Sequence, residues 1–170
     1  LKSLFYLLKV KDIKTRRQAA TALRDLAANP EHKITFSEQG GMDAMIQLAA
    51  EKEIDLECLA VAALRHLSLH DDLKRPLVVA GVLPPVVRCV SWANEDLMCQ
   101  LAGLLANLSE HQENQITLVE GASVPALVTL ARADNDEVQQ DCARALSNLS
   151  SNEENHIVVY RQGGLASLVK

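Results

Sequence analysis

The sequence predicts an all-α solenoid, a rod of stacked helices in which each unit packs on the next. Three observations carry this. The phrases Ala22-Leu23-Arg24-Asp25-Leu26, Ala63-Leu64-Arg65-His66-Leu67, Leu104-Leu105-Ala106-Asn107-Leu108 and Ala145-Leu146-Ser147-Asn148-Leu149 recur at a strict 41-residue step. A fixed period of that length is what stacked helical units leave in a sequence, because no unit can bury its apolar face alone. Around the phrases, apolar residues recur at three- and four-residue steps, which makes one stripe along a helix. Hydrophobic residues make up 48% of the 170 residues but aromatics only 3%, so the core is aliphatic, as suits helices in close approach.

Each unit reads as three helices. In 113–153, Glu113-Asn114-Gln115-Ile116 opens a short first helix that breaks at Gly121, since glycine tolerates backbone angles other residues do not. Pro125 stands near the start of the second helix, where its missing N–H costs nothing. The polar stretch Asp134-Asn135-Asp136 supplies an N-cap to the third, whose stripe is Val138, Cys142, Ala143, Leu146 and Leu149. The plan recurs along the chain. Glycine breaks fall at Gly40-Gly41, Gly81, Gly121 and Gly163-Gly164, and second helices are expected to start at Asp43, Pro84, Pro125 and Ala166. Third helices are expected over 12–28, 54–69, 95–109 and 136–150, each about 23 Å long. Ala20, Ala102 and Ala143 share one register, with Val61 the exception, and small side chains there let third helices approach. In the unit 72–112, Leu73 and Arg75 stand where 113–153 has Asn114 and Ile116, and Pro76 is expected in the first turn of its first helix. Trp92, the only tryptophan, is expected to staple the corner between second and third helices. The whole chain, 1–170, thus reads as one domain: a partial unit 1–30, complete units at about 31–71, 72–112 and 113–153, and a partial unit 154–170.

These features resemble an armadillo repeat, and the resemblance covers essentially the whole chain. The Gly-x-x-x-Pro corner at Gly121–Pro125 and the Asn-Leu endings at 107–108 and 148–149 favour it over two-helix HEAT units of similar period. The resemblance implies a right-handed α–α superhelix whose third helices line a concave groove. It also implies a protein-interaction scaffold that binds an extended peptide or helix of a partner there. The family's Asn near the end of the third helix hydrogen-bonds the partner backbone, and an amide suits that task because it both donates and accepts. This role carries over to Asn107 and Asn148, while Asp25 and His66 hold the matching positions of the earlier units. Further candidate groove residues, one or two turns earlier on the third helices, are Arg17, Gly103, Gln140 and Arg144, beside Thr21, Ala62, Cys58 and Cys99. Asp55, Asp96 and Glu137 lie near the helix starts, so the groove is mixed in charge.

Two departures bear on the partner. Importin-α-like arrays place Trp where this chain has Thr21, Ala62, Gly103 and Arg144, which disfavours a nuclear-localisation-signal receptor. β-Catenin-like grooves are strongly basic, and Lys14, Arg17 and Arg144 are a thin version of that.

Other classes are disfavoured. The net charge of -5 speaks against nucleic acid as a partner, and the basic stretch Lys9–Arg17 reads as a solvated helix start. No apolar run of about 18 residues exists to enter a membrane. The chain holds no Gly-rich phosphate loop or nucleophile elbow, so no enzyme and no cofactor are expected. His66, His111 and His156 lack metal-ligand spacing, and no metal is expected. Cys58, Cys89, Cys99 and Cys142 sit on apolar helical stretches, and helices pack about 8–10 Å apart, too far for disulfides. They read as free thiols of a cytoplasmic or nuclear protein. The pattern is cut at both ends without polar caps, which is expected of a piece of a longer array and favours self-association. Alternative readings are an assembly module working through its ends and convex face, or a substrate-recruiting segment of a larger enzyme.

Overall fold

A computed structural model describes residues 1–163, and every regular element among them is helical. Four long helices, α2 (Ile13–Ala28), α5 (Ile54–Ser68), α8 (Glu95–Ser109) and α11 (Asp136–Ser150), lie side by side in chain order. Before each stands a shorter helix: α1 (Lys2–Leu7), α4 (Gly41–Ala49), α7 (Leu83–Cys89) and α10 (Ser123–Leu130). After each comes another: α3 (Lys33–Glu38), α6 (Asp71–Val79), α9 (Gln115–Glu120) and α12 (His156–Arg161). The long helices fall within a residue of their expected bounds.

Local chemistry sets the starts. The side chains of Asp12, Asn94 and Asn135 accept hydrogen bonds from the backbone N–H of Thr15, Leu97 and Val138 at 2.8, 2.9 and 3.1 Å. Each such cap is worth about 1 kcal/mol. The core is the recurring stripe. Leu23, Leu64, Leu105 and Leu146 are buried, as are Leu67, Leu108 and Leu149, and each contributes about 2 kcal/mol relative to exposure. Ala20, Val61 and Ala102 are buried where successive long helices meet.

Polar pins join neighbouring layers. Asn114 Nδ2 donates to the carbonyls of Leu108 (3.1 Å) and Lys74 (3.0 Å), and Asn155 Nδ2 does the same to Leu149 (3.1 Å) and Gln115 (3.2 Å). Both asparagines are buried, so each satisfies one carbonyl at the end of a long helix, Leu108 or Leu149, and ties it to the preceding layer. Trp92 does staple its corner: Nε1 donates to Oε2 of the buried Glu57 at 2.7 Å. Arg88 braces the same carboxylate at 3.3 Å and donates to the carbonyls of Ala50 (2.8 Å) and Ala49 (2.9 Å) at the end of α4.

Three expectations are corrected. The left-handed backbone position is not Gly121, whose φ is -78°, but Ala122, at φ +62°. Ala122 falls on the same 41-residue step as Gly40, Gly81 and Gly163, with φ of +87°, +87° and +82°. Gly121 serves close approach instead: a Cβ there would lie 2.8 Å from Leu83 Cδ1 and 3.0 Å from the Thr117 carbonyl. Pro76 is not in a first turn. The helix α6 starts at Asp71, absorbing the turn that precedes α9 and α12 as separate 3-10 segments, so Pro76 is interior and lacks the N–H its ladder would use. Second-position helices begin at Gly41, Leu83 and Ser123, one or two residues before Asp43, Pro84 and Pro125, because the left-handed residue itself ends the turn. Gly164 and Ala166 lie outside the described residues.

An L-residue in the left-handed region costs about 1–2 kcal/mol. Ala122→Gly is therefore expected to raise the stability measured by urea unfolding by up to about 1 kcal/mol, and Gly81→Ala to lower it by a similar amount. No atom lies within 4 Å of a Cβ built at Gly81, so its loss would be conformational alone.

Candidate functional site

The second halves of the long helices border an open cleft of about 670 Å³. Its lining includes Arg24 and Asp25 of α2, Ala62, Arg65 and His66 of α5, Gln100 and Asn107 of α8, and Arg144 of α11. Asp25, His66, Asn107 and Arg144 of the expected groove residues thus meet in one place. Arg17, Gly103, Gln140 and Asn148 are not part of this lining.

The two asparagines have an internal task. Asn107 Nδ2 donates to Ser68 Oγ at 3.0 Å, and Asn148 Nδ2 donates to Ser109 Oγ at 3.0 Å. Each serine in turn donates to the carbonyl three residues back, Arg65 (2.7 Å) and Ala106 (2.6 Å), which leaves its lone pairs for the amide. At the first junction Ala27 replaces the serine and His66 the asparagine, so the hydroxyl acceptor and the amide are lost together. Asn107 is buried and its Oδ1 accepts from Arg144 Nη2 at 3.2 Å, so a ligand reaching that oxygen competes with Arg144. The Ser-Asn pairing at 39-residue separation was a signal open to the sequence and missed there.

The arginines among the remaining candidates are tied into ion pairs. Arg17 pairs with Glu53 at 3.2 Å and with Asp55, and Arg24 with Asp25 at 2.7 Å. Gln140 is exposed on α11. Gly103 presents no groove surface, because Arg65 lies across it: a Cβ at Gly103 would fall 2.2 Å from Arg65 Nε. Arg65 then donates to the Cys99 carbonyl (3.3 Å) and to Glu137 (3.0 Å) of α11. Arg144 pairs with Glu110 and, at 2.8 Å, with Asp141. Arg65 of the lining, and Glu110 and Asp141 that pair with the lining arginines from outside it, were passed over by sequence reasoning, since nothing in their local pattern marks them.

Titratable groups respond to this packing. His66 is half-buried, and burial, followed by the nearby Lys33, Arg65 and Arg24, lowers its pKa from the ordinary 6.5. The Lys33 ammonium donates to the His66 carbonyl at 2.6 Å, and burial lowers its pKa as well. Burial, with Glu57 nearby, pushes the Cys89 thiol up to about 11, and burial with Asp141 pushes Cys142 up to about 12. Such thiols are protonated and inert at neutral pH. Among the described residues no three His, Cys, Asp or Glu side chains are placed to hold a metal, and no helix is long and apolar enough to cross a membrane.

Comparison with known proteins places this architecture. Residues 111–151 match the family model of the Armadillo/beta-catenin-like repeat. The fold is that of an armadillo-repeat solenoid. It is 27% identical to the crystal structure of an engineered protein, over 99% of this chain and 71% of that one, with a TM-score of 0.88. A designed armadillo repeat protein in complex with the peptide (KR)4 is 23% identical, over 99% and 72% of the two chains, with a TM-score of 0.89. A chain from a structure concerned with the interaction between cadherin and beta-catenin is 21% identical, over 98% of this chain and 34% of that one, with a TM-score of 0.85. No curated protein matches the chain in sequence.

The armadillo stack makes two measurable claims here. A double-mutant cycle of Ser109→Ala and Asn148→Ala is expected to give a coupling of about 1 kcal/mol in urea unfolding. The depressed His66 pKa means the unfolded chain binds the proton more readily than the folded one. Stability is therefore present above the unfolded value of 6.5 and is lost as pH falls from there through the lower folded value. Unfolding curves at pH 7.5 and pH 5 are expected to show a smaller loss for His66→Gln than for the wild type.

Proposed function

We propose that the chain is a binding scaffold, not a catalyst, that holds an extended segment of a partner protein along the concave face of α2, α5, α8 and α11. The observation that carries this reading is the cleft, where side chains from four successive long helices, among them two amides, an imidazole and three guanidinium groups, converge on one open trough. Such a row suits an extended backbone, whose N–H and C=O groups present donors and acceptors in alternation. The (KR)4 complex of a designed armadillo repeat protein supports the capacity of the fold for a peptide. Asn107 and Asn148 contribute both to the stack and, through their amide oxygens, to the groove, with Arg144, Gln140, His66, Asp25 and Arg17 as further contacts. Gly103 acts by the space it leaves for Arg65. Four free thiols suit a cytoplasmic or nuclear setting.

The test is capture of partners from a native lysate by the wild-type chain, Arg144→Glu and Asn107→Ala, compared at equal helicity and melting temperature. Arg144→Glu is the cleaner probe, because Arg144 is exposed whereas Asn107 also ties neighbouring helices. A partner held by the concave face is expected to bind both variants at least tenfold more weakly. Undiminished capture by both variants would move the function off this face.

A further inference from the structure

We infer that Asp141 is an autoinhibitory latch: it holds Arg65 and Arg144 against the chain's own surface, and the cleft opens to a partner whose carboxylates take its place. The inference rests on the groove reading above and adds its regulation and the chemistry of its ligand.

The geometry is specific to this junction. Asp141 is only 14% exposed at its side chain, and both its oxygens face guanidinium groups: Oδ1 lies 2.8 Å from Arg144 Nη2 and Oδ2 3.7 Å from Arg65 Nη2. Arg65 belongs to α5 and Asp141 to α11, so the side chain must cross α8 to reach it. It does so over Gly103, the one long-helix position in this register without a Cβ. Arg24 occupies the same register in α2, but Ala62 stands where Gly103 would be, and Arg24 pairs instead with its neighbour Asp25. The crossing is thus a property of one residue pair, not of the repeat.

In this state the groups a partner would use are occupied. Arg144 donates to Asn107 Oδ1 as well as to Asp141, so the latch covers the amide oxygen at the centre of the cleft. What the latch conceals is positive. The lining holds Arg24, Arg65 and Arg144 against a single acid, Asp25, while the acids that quench Arg65 and Arg144 (Glu110, Glu137 and Asp141) stand outside it. A peptide carboxylate can pair both oxygens with one planar guanidinium, whereas Asp141 gives one oxygen to each arginine and stands 3.7 Å from Arg65. The exchange is one carboxylate for another, so its balance is set by how well Asp141 competes from its fixed position.

The experiment is fluorescence anisotropy on the full chain with two labelled peptides of equal length, (Glu)8 and (Lys-Arg)4. Asp141→Asn is expected to bind (Glu)8 about tenfold more tightly than the wild type. Gly103→Ala changes no charge but places a Cβ in the path of Arg65, and it is expected to bind (Glu)8 about threefold more tightly. Neither variant should gain affinity for (Lys-Arg)4. A gain in Asp141→Asn without one in Gly103→Ala would reduce the effect to net charge and overturn the latch. So would the absence of any gain in both. If either peptide binds the wild type and is lost on Arg144→Glu while the latch variants change nothing, the groove stands and only the latch falls. If no peptide binds any variant, both readings fall.

Discussion

The constraint on which everything else rests is register. A long helix of this chain buries its leucine stripe against the equivalent helices 41 residues away and the shorter helices of its own unit, so each position is held by its equivalents in the neighbouring layers. A slip of one residue would rotate the stripe by about 100° and expose it. That is why position 122 keeps a left-handed backbone although its residue is alanine: the fold asks for the turn there, and the local strain is carried by the packing on both sides.

The same register forces economy on the polar groups. Ser68 and Ser109 end one long helix and receive the amide of Asn107 and Asn148 from the next, so a residue type that suits peptide recognition is first engaged in holding the stack. At both positions the amide nitrogen is spent on the neighbouring helix, and at Asn107 the oxygen accepts from Arg144. What gives the cleft its own character is the arginines laid over that framework: Arg65 and Arg144 reach acids of another layer, Glu137 and Glu110, while Arg24 pairs with its neighbour Asp25. Exposed pairs of this kind contribute little to stability, at most about 1 kcal/mol. They are easily exchanged for a partner's groups.

Much of the fold was legible before any coordinate. The long helices, the cap within 134–136, the leucine stripe and the Trp92 corner follow from patterns within one period. The errors were also local in origin. Gly121 drew attention as a residue type although the strict step pointed to position 122, and Pro76 was judged against a helix start that its unit extends. At the site, Asp25, His66, Asn107 and Arg144 were placed together through equivalence of position. Arg65 was passed over because its partner Glu137 is 72 residues away and reached across another helix.

By itself, then, the sequence determined the repeat, its period, the direction of each helical stripe and the face on which polar residues gather, because all of these are written at spacings of three to 41 residues. Tertiary structure alone decided which charges meet. That depends on the distance between layers and on whether a given helix leaves room to cross it, and at Gly103 the deciding feature is a side chain that is not there.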